Sequence, residues 1–584
     1  FRRGEKQLKK LIRYLNPYTK ESIIAPLFKM LESMFDLMVP FVVRRIMDVA
    51  IPQGDTAGIW RLCGLLVLFA VIGLSCTLIA QYFAARAAVG FGTDIRQALF
   101  RHIQHYSYGQ TDRAGTSTLI TRMTADVNQL QTAVNQTLRL LLRSPIIVIG
   151  SAVFAFLVNP RGAVTFTVVI PLLAVVVFSI MLGGIPLYRK VQKGLDRVTS
   201  LTRENLTGVR VIRAFRKEKE ETARFDEANR LQTVMQNTVG KIAALMNPLT
   251  LLIVNGGIIA LLLSGAIQVD GGSMTKGGVF ALTNYMSQIL VELVKLANTI
   301  IMINKGVASA ARIEAVLEEP TGMSVDPALP APENAAGSAV AFDHVGLTYS
   351  EGADPSLTDI TFTAAPGETV GIIGSTGSGK TSVVNLIARF YDATAGTVAV
   401  DGADVRSCDP DALRQKIGIV PQKAVLFRGT VRSNLLWGRG DATDDELWQA
   451  LDQAQAKEFV AEKKGGLDAP VAQNGKNFSG GQRQRLTVAR ALVRRPSILI
   501  LDDSSSALDY ATDAALRGAI RQLDYHPTVF LISQRTASIR HADRILVLDD
   551  GHQVGLGTHE ELLNTCPVYR EIYDSQYKKE GADA

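Results

Sequence analysis

Gly374-Ser-Thr-Gly-Ser-Gly-Lys380-Thr381 decides the fold of the second half of this 584-residue chain. The eight residues fit G-x-x-x-x-G-K-[ST]. They stand between a short apolar run, Thr369–Ile373, and a helical run, Ser382–Phe390. Strand, loop and helix in that order are the context the motif needs. Glycines let the backbone wrap phosphate oxygens, and the helix N-terminus adds its dipole. Gly374, Ser375, Thr376, Gly377, Ser378 and Gly379 form the expected cradle, closed by Ser382 on the helix. Lys380 reaches the β/γ-phosphates and the Thr381 hydroxyl ligates magnesium, so the reading is ATP or GTP with Mg2+.

Downstream, Ser497–Asp509 reads SILILDDSSSALD. Ile498–Leu501 has the look of a buried parallel strand, and it ends in two adjacent carboxylates, Asp502 and Asp503. The carboxyl end of such a strand is where α/β sheets bind ligands. With the P-loop upstream, Asp502 becomes the acidic partner on the magnesium side. Asp503 stands where a carboxylate would orient the attacking water.

The first half is of another kind. The chain is 47% hydrophobic yet 20% charged, and its mean hydropathy is positive. Those figures fit together because long uncharged runs fill the chain before about residue 305. Runs near 23–47, 60–82, 140–159, 163–186, 243–267 and 278–303 are candidate bilayer-crossing helices, each needing about 20 mainly apolar residues. The first is the weakest, with Lys29, Glu32, Asp36, Arg44 and Arg45 inside it. Lys and Arg crowd segments 83–139 and 187–241, whereas the short connections carry almost none, which puts the long loops on the cytoplasmic side. Both loops read as helical extensions with turns at Gln110–Thr118 and Gly208–Phe215. Glu292 and Lys295, three apart on the sixth run, are placed to pair on one helix face. Pro171 and Pro248 are expected to bend their helices.

The net charge of +7 comes from basic loops between apolar runs, a pattern that suits a lipid bilayer and argues against nucleic acid. Residues 1–20 are basic, with Leu8, Leu11, Ile12 and Leu15 at helical spacing, and read as an amphipathic interfacial helix. Cys63, Cys76, Cys408 and Cys566 lack metal-ligand spacing and are expected as free thiols. The expected domains are therefore an interfacial helix at 1–20, a transmembrane domain at 21–317, a Pro/Ala/Gly-rich linker at 318–339 and a nucleotide-binding domain at 340–584. The fold class is multi-domain: an all-α six-helix transmembrane domain followed by an α/β P-loop ATPase domain.

Between the two nucleotide motifs lies Asn477-Phe-Ser-Gly-Gly-Gln-Arg-Gln-Arg485. Phe478–Gln482 followed by RQR resembles the signature of ABC-type ATPases. With the P-loop before it and Ser506–Asp509 (SALD) after it, the match is specific. Six spans fused ahead of such a domain resemble a half-transporter of the ABC exporter type, and Glu204–Phe215 echoes that architecture. The resemblance implies that Tyr349 stacks on adenine and that Gln422 contacts magnesium and senses the γ-phosphate. It implies that Ser479, Gly480, Gly481 and Gln482 serve the ATP of a partner subunit, with Asp509 at that interface. It also implies a bacterial inner-membrane location with the ATPase domain in the cytoplasm.

Two positions depart from the family. Asp503 stands where Glu is usual, and Gln534, in Leu531-Ile-Ser-Gln534-Arg535, stands where His is usual. Both would act on one γ-phosphate. Asp is one methylene shorter, so its carboxylate retreats by about 1.5 Å, and Gln cannot become cationic. A milder departure is Gln473, where exporters often carry an acidic residue. The expectation is a weakly hydrolytic site in which Asp503 and Gln534 hold the catalytic positions. A homologous half-transporter carrying Glu and His would complete a heterodimer. The expected cargo is a small amphiphile such as a drug; the alternatives are a lipid or peptide exporter, or a siderophore importer of the same fold.

Overall fold

The computed structural model describes residues 10–329, 335, 337–350 and 352–577. The chain divides into two compact units, Phe1–Gln104 with Gly115–Pro320, and His105–Ala114 with Thr321–Ala584.

The first unit is helical. Among the described residues, five helices are long and apolar enough to cross a membrane: Thr56–Gln104, Thr116–Val158, Pro160–Thr207, Glu218–Asp270 and Lys276–Glu318. The run expected as the first span folds as a helix, Thr19–Arg45, continued by a wider turn at Ile46–Ala50, but its charges keep it out of that group. Most of those charges have partners. Lys29 Nζ donates to Glu32 Oε2 at 2.5 Å, and Arg44 Nε to Asp48 Oδ2 at 3.3 Å. Leu37 enters the core with Phe166, Leu173 and Tyr285, and Tyr285 Oη donates to the Leu37 carbonyl at 2.7 Å.

The expected Glu292–Lys295 pair forms, with Nζ to Oε1 at 2.9 Å. It belongs to a larger network. Arg143 donates to Glu292 Oε1 at 2.6 Å and to Asp36 Oδ2 at 3.0 Å, while Ser144 Oγ donates to Glu292 Oε2 at 2.8 Å. Three helices that carry like or unlike charges in an apolar setting are thus held by one guanidinium. Removing Arg143 takes its partner from Asp36 and leaves Glu292 to Lys295 and Ser144 alone, at a cost below the scale of about 3–5 kcal/mol for breaking a fully buried pair. Arg143→Met is accordingly expected to lower the thermal unfolding midpoint of the detergent-solubilised protein. An unchanged midpoint would refute this role.

Near the N-terminus the described part, from Lys10, is helical and turns at Arg13–Tyr18. Leu11 is buried against Phe91, Ile95 and Leu99. Residues 1–9, including Leu8, lie outside the described residues. The helix interruption at Leu245 falls three residues before Pro248, which lacks the N–H that would bond back to Ala244, whereas the helix runs on through Pro171. The second expected turn forms around Val209–Ala214. The first is partly helical: Tyr108–Ala114 ends at Gly115, whose φ of 73° stops it.

Among its described residues the second unit has twelve strands: β1 Val340–Leu347, β2 Leu357–Ala364, β3 Thr369–Gly374, β4 Ala395–Val400, β5 Ala403–Asp404, β6 Ile417–Val420, β7 Gly429–Thr430, β8 Pro470–Val471, β9 Ile498–Asp502, β10 Thr528–Ile532, β11 Arg544–Asp549 and β12 His552–Gly557. Ten form one sheet in the order β5-β4-β1-β2-β12-β11-β3-β10-β9-β6, and β7 pairs with β8. β6, β9, β10, β3 and β11 run parallel. Side chains alternate across this part of the sheet. Ile498, Ile500, Phe530 and Ile532 enter one apolar layer, and Leu499, Leu501, Val529 and Leu531 enter the other. Burial on both faces is why β9 reads as an unbroken apolar run.

The linker is tied to this unit. The Asp326 amide donates to the Arg406 carbonyl at 3.1 Å, and the fully buried Arg389 donates to the Ser324 carbonyl at 2.6 Å.

Candidate nucleotide site

The carboxyl ends of β3, β9 and β10 carry the expected residues. The P-loop leaves β3 at Gly374, where an added Cβ would lie 2.1 Å from the Leu548 carbonyl oxygen. Gly379 has φ 93° and would press a Cβ to 2.7 Å from the Ser356 carbonyl oxygen, so only glycine fits there. The helix Lys380–Ile387 begins directly after it. Lys380 curls back over the loop, with Nζ donating to Gly374 O at 3.0 Å, Ser375 O at 2.5 Å and Ser378 Oγ at 3.3 Å. Burial lowers the Lys380 pKa, and the carboxylates of Asp503 and Asp502 oppose that shift.

Thr381 Oγ1 donates to both oxygens of Asp502, at 3.2 and 3.1 Å. A hydroxyl beside a buried carboxylate, under a glycine cradle, is an all-oxygen donor set that fits magnesium held together with a nucleotide. Burial raises the Asp502 pKa, against the Thr381 hydrogen bond.

Asp503 leaves β9 with φ 46°, in the left-handed region where a short polar side chain is tolerated better than most. Gln422 Nε2 reaches its Oδ2 at 3.4 Å, which brings the Gln422 loop to the same corner. Burial raises the Asp503 pKa, with Gln422 and then Arg535 opposing. Gln534 follows β10 and is exposed. Its side chain makes no hydrogen bond among the described residues, although its backbone carbonyl does.

Tyr349 is 44% exposed, enough ring surface to stack on a base. Its hydroxyl donates to Ser382 Oγ at 2.8 Å, so it stands at the P-loop helix. Edge-on to it, at 4.8 Å, lies Tyr391, which sequence reasoning missed. Tyr391 in turn donates to Asp112, and Tyr108 stacks on Phe390 at 4.1 Å. The segment Tyr108–Ala114 thus packs beside the base side of the site. Adjacent aromatics at Phe390 and Tyr391 were the only signal in the sequence; nothing local marked Asp112.

Ser479 caps the helix Gly480–Val493 in a reciprocal arrangement. Its Oγ accepts from the Gln482 amide at 3.2 Å, and Gln482 Oε1 accepts from the Ser479 amide at 3.1 Å. Gly480 is exposed, and a Cβ at Gly481 would come within 3.0 Å of Ala507 O, which packs the signature against the Ser506–Asp509 segment. None of the hydrogen bonds of Ser479–Gln482 goes to residues 374–382. Asp509 caps the helix Tyr510–Arg521 by accepting from Thr512. Gln473 lies in a short turn, Gln473–Gly475, on the surface.

Fold and site together define a membrane-spanning helical region fused to a P-loop ATPase domain. Residues 22–293 match the family model of the ABC transporter transmembrane region, and residues 357–506 match that of the ABC transporter. An uncharacterized ABC transporter ATP-binding protein of Mycobacterium tuberculosis is 39% identical over 573 residues, 97% of each chain. A fatty acid ABC transporter ATP-binding/permease protein of Mycobacterium bovis is 34% identical over 492 residues, 83% of this chain and 76% of that one. The solved structure of a bacterial Atm1-family ABC exporter with ATP bound superposes with a TM-score of 0.78 over 96% of this chain and 98% of that one, at 24% identity. The chain belongs to the ABC transporter family, with the transmembrane and ATP-binding domains fused in one half-transporter of exporter fold.

Proposed function

We propose that this chain is one half of a heterodimeric ATP-driven exporter of amphiphilic small molecules, and that its own P-loop site hydrolyses ATP weakly. The observation that carries the asymmetry is the pair Asp503 and Gln534. Asp503 holds the water-orienting position with a short side chain whose carboxylate accepts one long hydrogen bond, and Gln534 holds the switch position without an ionisable group. The signature, by contrast, is intact and its serine is in cap geometry, so this chain can complete a competent site on a partner carrying Glu and His.

In this reading Tyr349 takes the base and Gly374–Ser382 the phosphates. Thr381, Asp502 and Gln422 hold magnesium, which when bound neutralises the charge that develops on the transferred phosphoryl oxygens. The domain limits at 20, 317 and 339, a bacterial inner-membrane location and a cytoplasmic ATPase domain belong to the same reading. A lipid cargo is the second reading, favoured by the relative named as a fatty acid transporter.

The full-length chain purified alone is expected to hydrolyse ATP at least about tenfold more slowly than the pair assembled with its homologous half. Equal turnover by the chain alone would overturn the heterodimer. Uptake of a fluorescent amphiphile into inside-out vesicles tests direction, and ATP-driven release instead of uptake would make the transporter an importer.

A further inference from the structure

The short helix Thr536–Ile539 follows the switch residue, and its N-cap, Arg535, makes no side-chain cap. The amide of Thr536 therefore needs a partner from elsewhere. It finds one 40 residues downstream. Gln576, on the C-terminal helix Pro567–Tyr577, accepts through Oε1 from the Thr536 amide at 2.9 Å and from Thr536 Oγ1 at 2.8 Å. Its other end, Nε2, donates to the Gln534 carbonyl at 2.8 Å. One side-chain amide thus spans the switch loop, with donor and acceptor each used in the only sense that its chemistry allows.

Both sides of this clamp are anchored. Tyr569 is fully buried at the base of the C-terminal helix, with its hydroxyl 2.7 Å from His559 Nδ1. On the opposite side Ser538 Oγ donates to Asp513, and Arg517, paired with Asp513, donates to the carbonyls of Ala537 and Ser538. Thr536 itself is fully buried, while Gln534 is exposed with its side chain free to reach a ligand.

We infer that Gln576 is a positioning residue for Gln534: the C-terminal helix sets the height of the switch loop and so the reach of the Gln534 amide toward the γ-phosphate. The inference rests on the reading of Gln534 as the residue that faces that phosphate. Both ends of the Gln576 amide are taken up by the loop, and it acts through that loop.

Two substitutions separate this role from simple packing. Gln576→Glu keeps an oxygen for Thr536 but sets a second oxygen against the Gln534 carbonyl; Gln576→Leu removes both ties. In the full-length transporter, azido-ATP photolabelling assigns the nucleotide on this chain. Single-turnover hydrolysis there, ATP affinity, and amide hydrogen exchange across residues 534–537 are then compared, with Gln534→Ala as the reference. Gln576→Glu is expected to leave the unfolding midpoint and ATP affinity unchanged, to speed exchange in the loop, and to slow hydrolysis by about tenfold, within the loss that a misplaced group causes. Gln576→Leu is expected to do the same with a lowered midpoint.

Unchanged exchange in both variants would overturn the clamp and leave the reading of Gln534 standing. Faster exchange with unchanged hydrolysis, while Gln534→Ala slows it, would overturn the positioning role alone. If Gln534→Ala is itself silent, the switch reading falls and the positioning role falls with it.

Discussion

Gly480→Asp in the assembled transporter is expected to lower ATP hydrolysis by about 100-fold or more, the scale of losing one anion-stabilising site, whereas Asp503→Asn changes it less than about twofold. The two residues lie on the same chain, and in the proposed heterodimer the difference comes from which ATP each one serves. Gly480 opens the helix Gly480–Val493 directly after its cap, Ser479, so its amide belongs to a helix N-terminus that attracts anions. An added Cβ would come no closer than 4.0 Å to a neighbour, Ala507 Cβ, so the substitution does not disturb packing. An aspartate in the first turn even favours the helix, by about 0.3–1 kcal/mol. The fold survives and the phosphate is repelled. On the proposed asymmetry Asp503 serves the slower site, which contributes little to the total turnover, so its loss hardly moves the steady-state rate. Steady-state ATPase of the purified pair reads both variants. A large loss in Asp503→Asn with a small one in Gly480→Asp would invert the assignment of the two sites.

The second expectation is a gain. Asp503→Glu combined with Gln534→His should raise hydrolysis in the chain purified alone by about 10- to 100-fold, the range open to a correctly placed general base and its partner. Glutamate recovers the roughly 1.5 Å by which the Asp503 carboxylate falls short, and histidine restores a group that becomes cationic near neutral pH. The left-handed backbone at position 503 tempers the first change, because glutamate lacks the short side chain that suits φ 46°. That cost, about 1–2 kcal/mol at most, falls on folding stability and leaves the barrier to the chemical step untouched. Either single substitution is expected to give less than half of the combined gain on a logarithmic scale, since both act on one phosphate. No increase in the double variant would mean that this site is slow for another reason, or is not slow.

Much of the second unit was legible because its signals are local. β9 announced itself through four consecutive apolar residues, and both sheet faces claim them alternately. The P-loop lysine, the Thr381–Asp502 pair and the capped signature all stood where short motifs placed them. The first unit was legible as spans, since bilayer thickness demands a length of apolar chain that few other structures need. Its weakest expected span was weak because of its charges, and only the fold supplies their partners: Asp36 and Glu32 face the Arg143 and Lys29 side chains.

By itself the sequence determined the two-part architecture, the nucleotide cradle and the two departures at Asp503 and Gln534, because each is written within a few neighbouring residues. Only the tertiary structure decided that Tyr108–Ala114 belongs with the ATPase unit, with Asp112 accepting from Tyr391 across 279 positions. The same is true of Arg143, which joins helices 107 and 149 positions away, and of Gln576, which bridges the switch loop from the C-terminal helix. Periodicity and glycine backbone geometry are short-range properties that a sequence displays directly. Partner choice between single polar side chains depends on where packed elements come to lie, and any Gln, Tyr or Arg has the same appearance in sequence until that packing selects its neighbour.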